Sequence, residues 1–201
     1  YTAVAFNVMP LKEDSIVNAL QMFEYRKSMQ IGKSLRSRVG AIGNVSGAIG
    51  LFHTADLRDQ SRNHSGQFGG EDEQRTALAH LYGEGKGITY TDSTVITKAP
   101  DTVYKLLKQR AFSWNLSVPE LFTINWRILL HPKQHYLLKA EKAYQMYIYL
   151  TDPLRMLFFW ILFTQPNRIF AAYSFYFFIT LLVWMKTQRK DKIWVVFVFP
   201  I

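Results

Sequence analysis

Short apolar runs alternate with amphipathic ones along the first half of the chain, and the period of each run predicts an element. Tyr1 to Val8 has the β-rich composition of a strand, which Pro10 ends. Asp14 or Ser15 then caps a helix. Its apolar positions Ile16, Leu20 and Phe23, with Val17, Met22 and Met29, fall near helical spacing, and Arg26 and Lys27 lie toward its C-terminal end. Such a helix is amphipathic and packs on another layer. Between Arg36 and Phe52 glycines alternate with β-branched residues, a pattern for a strand and turn that another backbone or a ligand approaches closely. The polar, Gly-dotted stretch Asp56 to Gly70 reads as a loop. Glu71 to Leu81 returns to helix, Gly83 to Gly87 turns, and Ile88 to Thr97 alternates like a strand. Asp101 or Thr102 starts a further helix carrying Val103, Leu106, Leu107 and Arg110. Strand, helix, strand, helix is an α/β order.

Past Trp114 the pattern changes. Leu116, Val118, Leu121, Phe122, Ile124, Ile128 and Leu129 are interleaved with Glu120, Asn125, Trp126 and Arg127, the balance of a helix lying at a membrane interface. Pro119 is expected to interrupt that helix and Pro132 to end it. Ala143 to Phe163 is apolar and aromatic but contains Thr151-Asp152-Pro153 and Arg155, which predicts an interfacial segment running into a broken or tilted span. Ile169 to Met185 carries no charge and approaches membrane-spanning length. The basic run after it, Lys186 to Lys192, sits in the cytoplasm by the positive-inside rule. Counting back over two spans puts residues 1–140 there too, so the chain is expected to be a multi-pass membrane protein with its polar part cytoplasmic. A buried apolar helix pair in a water-soluble fold is the competing reading, against which the aromatic density and the flanking Lys and Arg both count. The resulting division is 1–115, an α/β part; 116–142, an amphipathic interface region; and 143–201, membrane helices of which the last is cut short.

Composition sharpens this. Apolar residues make up 49% of the chain and crowd into its last third. The net charge of +9 suits an anionic membrane face or phosphorylated substrates. Its Lys and Arg are scattered over loops and helix ends and form no dense tract, which argues against nucleic acid as a partner. With no Cys, disulfides, thiolate catalysis and Cys-ligated zinc are excluded. The chain opens without an initiator Met and closes on an apolar run shorter than a span, so a longer parent protein is expected.

The candidate chemistry begins at Gly70-Glu71-Asp72-Glu73. Two adjacent carboxylates at a loop-to-helix boundary repel, and one of them can keep a raised pKa suited to taking a proton. Equally, Glu71, Asp72 and Glu73 can simply favour the positive end of a helix. Gln109 or Arg110 can meet a diphosphate, Arg through its forked donors, while Trp114 offers a flat face to a sugar ring or an anchor at an interface. The five histidines are spaced too irregularly for a metal site, and no metal ligand can be named. Ser46 lacks the Gly-x-Ser-x-Gly frame of a nucleophile elbow.

Taken in order, Glu24-Tyr25, Asn44-Val-Ser46-Gly47-Ala-Ile-Gly-Leu-Phe52, Gly70-Glu71-Asp72, Thr97-Lys-Ala-Pro-Asp-Thr102 and Lys108-Gln109-Arg110 with Trp114, all ahead of apolar helices, resemble the second half of membrane-embedded family 2 glycosyltransferases. That group comprises the hyaluronan, chitin, cellulose and poly-N-acetylglucosamine synthases. The resemblance implies the C-terminal part of a GT-A-type α/β domain followed by interfacial and transmembrane helices. It implies an inverting, processive hexosyltransferase that takes a sugar from a nucleotide sugar, a UDP-sugar by analogy, and adds it to a growing glycan exported across the bilayer. Asp72, with Glu71 beside it, falls on the general base; Ser46 and Gly47 lie near the acceptor; Gln109, Arg110 and Trp114 match the family's Gln-x-x-Arg-Trp motif. Here the match departs from the family. Gln109 to Trp114 is one residue longer, and aligning the Trp puts Arg110 in place of Gln and Ser113 in place of Arg. A Mg2+ or Mn2+ ion is implied as cofactor, with ligands expected upstream of Tyr1. A non-processive membrane transferase and a non-catalytic membrane subunit with a degenerate transferase domain are the alternatives.

Overall fold

The computed structural model describes residues 1–65, 70–83, 86–110, 118–163, 165–187 and 193–198, and of residues 118–121, 152–163, 166 and 198 it describes the backbone alone. The architecture is mixed α/β, a small three-stranded sheet among many helices. Strand β1 (Ala3–Pro10) lies in the middle, antiparallel to β2 (Gly50–Phe52) and parallel to β3 (Ile88–Thr97). A parallel pair needs a long crossover, and everything between β1 and β3, including the candidate base, belongs to it. Its central place explains why β1 reads as an almost continuous apolar run, with Ala3, Ala5, Val8 and Met9 all buried. The ladder slips between Phe6 and Asn7, skipping two residues of β3, and the Asn7 amide donates to Thr94 Oγ1 at 2.9 Å across the irregularity. Pro10 closes β1, one residue pair beyond the end of the apolar run.

Helix α1 (Ile16–Arg26) begins as expected, with Ser15 Oγ accepting from the Asn18 N–H at 3.0 Å. It does not stop at its basic end. The chain winds on as a π-helix over Lys27–Lys33 before a short α-turn, α2 (Ser34–Ser37). Wide turns of this kind are uncommon and gather at functional sites. Gly40 and Gly87 then adopt φ of 66° and 70°, and a side chain on Gly87 would start 2.8 Å from the Gly40 Cα. Only two glycines permit that crossing of backbones, which lets Ile88 N–H reach the Gly40 carbonyl at 2.9 Å.

Three sequence expectations are corrected here. The polar stretch after Asp56 is not all loop, because Thr54–Asn63 forms helix α3. Its polar surface hides the helical period, since Gln60 is the only residue it buries, and Ser61 and Asn63 fold their side chains back onto the Leu57 and Asp59 carbonyls. Pro119 does not interrupt α6 (Val118–Leu130) but stands at its second position, where a missing N–H leaves no intrahelical bond unmade. Helix α7 (Tyr136–Phe163) is unbroken through Pro153. Near that proline Thr151 Oγ1 donates to the Tyr147 carbonyl at 2.8 Å.

Helix α4 (Glu71–Tyr82) occupies the centre. Ala79 packs with Ala3, Ala5, Ile42, Val45 and Ile88 against the sheet, while Ala77 packs with Ile124 and Ile128 of α6 and Leu138 of α7. Helix α5 (Val103–Lys108) starts at Thr102, whose hydroxyl accepts from Lys105 N–H. Among the described residues one helix, α8 (Pro166–Lys186), is long and apolar enough to cross a membrane, over Asn167–Lys186 with mean hydropathy 1.6. Tyr173 and Phe177 of α8 contact Phe197 of the short α9 (Val195–Val198).

Candidate functional site

The N-terminal turn of α4 faces the loop 42–48, and between that loop, the π-helix and α7 lies a cavity of about 520 Å3, a volume ordinary for small-molecule sites. Gly70, at φ 84°, turns the chain into α4 and sets Glu71, Asp72 and Glu73 on the first turn. Asp72 enters the cavity wall. Its Oδ2 accepts from the Gly47 N–H at 3.1 Å and its Oδ1 from the Glu73 N–H at 2.9 Å, which fixes the carboxylate plane and leaves lone pairs on both oxygens for a ligand. A side chain on Gly47 would begin 3.3 Å from Asp72 Cβ, so glycine permits the close approach.

The loop is pinned along its length. His80 Nε2 holds the Ile42 carbonyl at 2.7 Å, and because a carbonyl only accepts, Nε2 carries the proton. Lys142 Nζ of α7 donates to the Gly43 carbonyl at 3.1 Å. Thr76 Oγ1 accepts from the Val45 N–H at 2.8 Å while donating to the Asp72 carbonyl at 2.7 Å. Asp72, Thr76 and His80 are spaced four residues apart, so one stripe of α4 supplies three of the four ties. Burial lowers the His80 pKa to about 4, the bond to Ile42 opposing and the Lys142 charge adding to the shift.

Charge around the cavity is arranged in pairs. Lys142 is fully buried and meets Glu73 Oε1 at 3.3 Å and Gln145 Oε1 at 3.2 Å. Burial nonetheless raises the Glu73 carboxyl above its usual range, with Lys142 opposing. Arg36 Nε meets Glu141 Oε2 at 3.0 Å, and Arg110 Nη2 meets Glu24 Oε2 at 2.6 Å. The Glu24, Tyr25 and Gln109 side chains line the same space.

Of the sequence-predicted site residues, Ser46, Gly47, Asp72 and Gln109 therefore meet at one cavity, and Arg110 reaches its edge through Glu24. Ser46 Oγ lies 3.4 Å from the Ala48 N–H, as in an ordinary turn. Glu71 is exposed at the start of α4 and does not line the cavity, whereas burial raises the carboxyls of Glu73 and Glu141, which do. Trp114 lies outside the described residues. Sequence reasoning missed Lys33, Glu73, Glu141 and Lys142. The four-residue repeat of polar positions from Asp72 to His80 was the available signal that this helix face turns inward. Among the described residues no group of three or more His, Asp or Glu side chains is placed to hold a metal ion. No protein-family model matches this chain, and no match is found among curated proteins.

Proposed function

We propose that this chain is the acceptor-side part of a GT-A-type domain in an inverting family 2 glycosyltransferase, a polysaccharide synthase that passes its product through its own membrane helices. What carries the reading is convergence. Glu24-Tyr25, Asn44 with Ser46 to Ala48, Asp72 and Gln109 come from four separate segments, and all of them line one cavity. Among them the sequence resemblance marks Ser46 and Gly47 for the acceptor, Asp72 for the base and Gln109 for the donor.

In this reading Asp72 removes the proton of an acceptor hydroxyl. The freed oxygen attacks the anomeric carbon of a nucleotide-activated sugar, the bond from that carbon to the diphosphate breaks, and the configuration inverts. Gly47 and Glu73 N–H groups orient the carboxylate so that an oxygen faces the incoming hydroxyl, which is the positioning part of catalysis. Mg2+ or Mn2+, when bound, would supply countercharge to the leaving diphosphate. Residues 1–115 act in the cytoplasm, 116–142 lie at the interface, and α8 with the apolar half of α7 crosses the bilayer as part of a multi-pass assembly.

The test uses the full-length protein in its membrane and a panel of labelled nucleotide sugars. Asp72→Asn should lower transfer by about 10^2- to 10^4-fold while sparing donor binding. Transfer at the wild-type rate from that variant would overturn the reading. Product length then separates a polymerising enzyme from one that adds a single sugar.

A further inference from the structure

Lys33 ends the π-helix and is 7% exposed, yet it makes no hydrogen bond or ion pair with any other described residue. Its ammonium lines the cavity that holds Asp72. A buried cation without a partner is costly, and burial accordingly brings the Lys33 pKa down to about 8, with the Asp72 charge opposing and the Arg36 charge adding. On the same wall the side-chain oxygen of Asn44 is buried and accepts no hydrogen bond from a described residue. Both residues line the cavity, one bringing donors and the other an acceptor.

The surrounding charges decide what fits. The charged and titratable groups that line the cavity with Lys33 are Asp72 and Glu73 from α4, Arg36 from the next turn, Glu141 from α7, and Glu24 with Tyr25 from α1, and of these Asp72 and Arg36 act on its charge. Arg36, Arg110 and Lys142 are matched by Glu141, Glu24 and Glu73, which leaves Lys33 and Asp72 as the remaining opposite charges and the site with its ion-pair partners electrically balanced. A balanced wall does not select an anion. It suits a neutral ligand with several hydroxyls, each able to accept from one group and donate to another.

We propose that Lys33 and Asn44 form with Asp72 the subsite for a neutral sugar acceptor. Lys33 donates to a sugar oxygen next to the one that reacts, and Asn44 accepts from a neighbouring hydroxyl. Lys33 is thus a positioning residue. This rests on the reading of Asp72 as the base, and the inference adds the acceptor's class and the residues that orient it.

The experiment is primer extension by the full-length protein in its membrane, with a neutral β-linked tetrasaccharide and a counterpart containing one hexuronate. Lys33→Met should raise the KM for the neutral primer about ten- to a hundredfold, the worth of a hydrogen bond to a charged group, without changing the KM for the donor. In the wild type kcat/KM for the primer should fall above pH about 8 as Lys33 loses its proton. Lys33→Arg should restore primer binding and move that alkaline fall upward, which a merely structural role would not do. An unchanged primer KM and alkaline limb in Lys33→Met, with Asp72→Asn inactive, would sink this inference and leave the base assignment standing. Activity in Asp72→Asn would instead sink the assignment itself. Preference for the hexuronate primer, abolished by Lys33→Met, overturns the neutral-acceptor class. Should Lys33→Met not fold, Asn44→Ala carries the same measurement of primer KM.

Discussion

Around the cavity the chain buries groups that water ordinarily keeps, including Lys142, Lys33 and Glu73; along α8 it exposes Phe170, Phe175, Tyr176, Phe178 and Leu182. Only 6% of the apolar window of α8 is buried within the protein. The two departures have different physics. A buried charge persists where neighbouring groups compensate it, or where a ligand does so. An apolar helix left uncovered persists where its solvent is not water, or where another protein covers it. The first region therefore points to chemistry, and the second to surroundings outside this chain.

The sharpest way to break the comparison is at Lys142. Lys142→Met leaves Glu73 without its cation and the Gly43 carbonyl without its donor, and the expected loss of stability is ~3–5 kcal/mol, read from thermal unfolding in detergent. The double variant Lys142→Met with Glu73→Gln should recover part of this. A single variant as stable as the parent would mean that the pair is solvated and the first half of the comparison is wrong. At the other region Phe178→Asp tests the surroundings. With residues 166–186 placed as a test segment in a host membrane protein, an Asp near the middle should reduce insertion by ~2.5–3.5 kcal/mol. Equal insertion would indicate that α8 is covered by protein and does not meet lipid.

The same contrast explains what the sequence disclosed. Strand β3 and helix α4 were legible because their periods come from local residues, and the observed span Ile88–Thr97 coincides with the alternation read along it. Asp72, Gly47 and Gln109, which share one cavity, were singled out by their order in the chain. Lys142 was not, since its partner Gly43 is 99 residues away and nothing local distinguishes a lysine that will be buried from one that will snorkel. Lys33 was hidden for a related reason. The wide turn that carries it has no apolar period of its own, and the helical spacing read from the sequence ran no further than Met29. Polar α3 failed in the opposite way, as a helix whose contacts are mostly with water and itself.

Lys33 then separates stability from function. Its ammonium has a folded pKa of about 8 against 10.5 for the unbound side chain, so its burial weakens the fold below pH 8 and the cost disappears as pH rises toward 10.5. Lys33→Met should therefore stabilise the protein at pH 7, by up to ~3 kcal/mol, while impairing primer binding. A destabilised Lys33→Met would show that the ammonium has a structural partner and is not held in reserve for a ligand.

His80 supplies the smallest effect and the finest test, because it pins the loop without facing the ligand. Its folded pKa of about 4 lies below the ordinary 6.5, so the unfolded chain binds the proton first as the solution is acidified. Stability is complete above pH 6.5 and declines toward pH 4, by ~2 kcal/mol at pH 5. His80→Gln keeps an N–H for the Ile42 carbonyl but cannot titrate, and its stability should lack this acid step. Both buried bases thus make the fold stronger as pH rises, in one step below pH 6.5 and another above pH 8. If Lys33 positions the acceptor, transfer should decline across the second step. Stability and transfer that move together above pH 8 would mean that Lys33 serves the fold alone; opposite movement ties the buried charge to transfer.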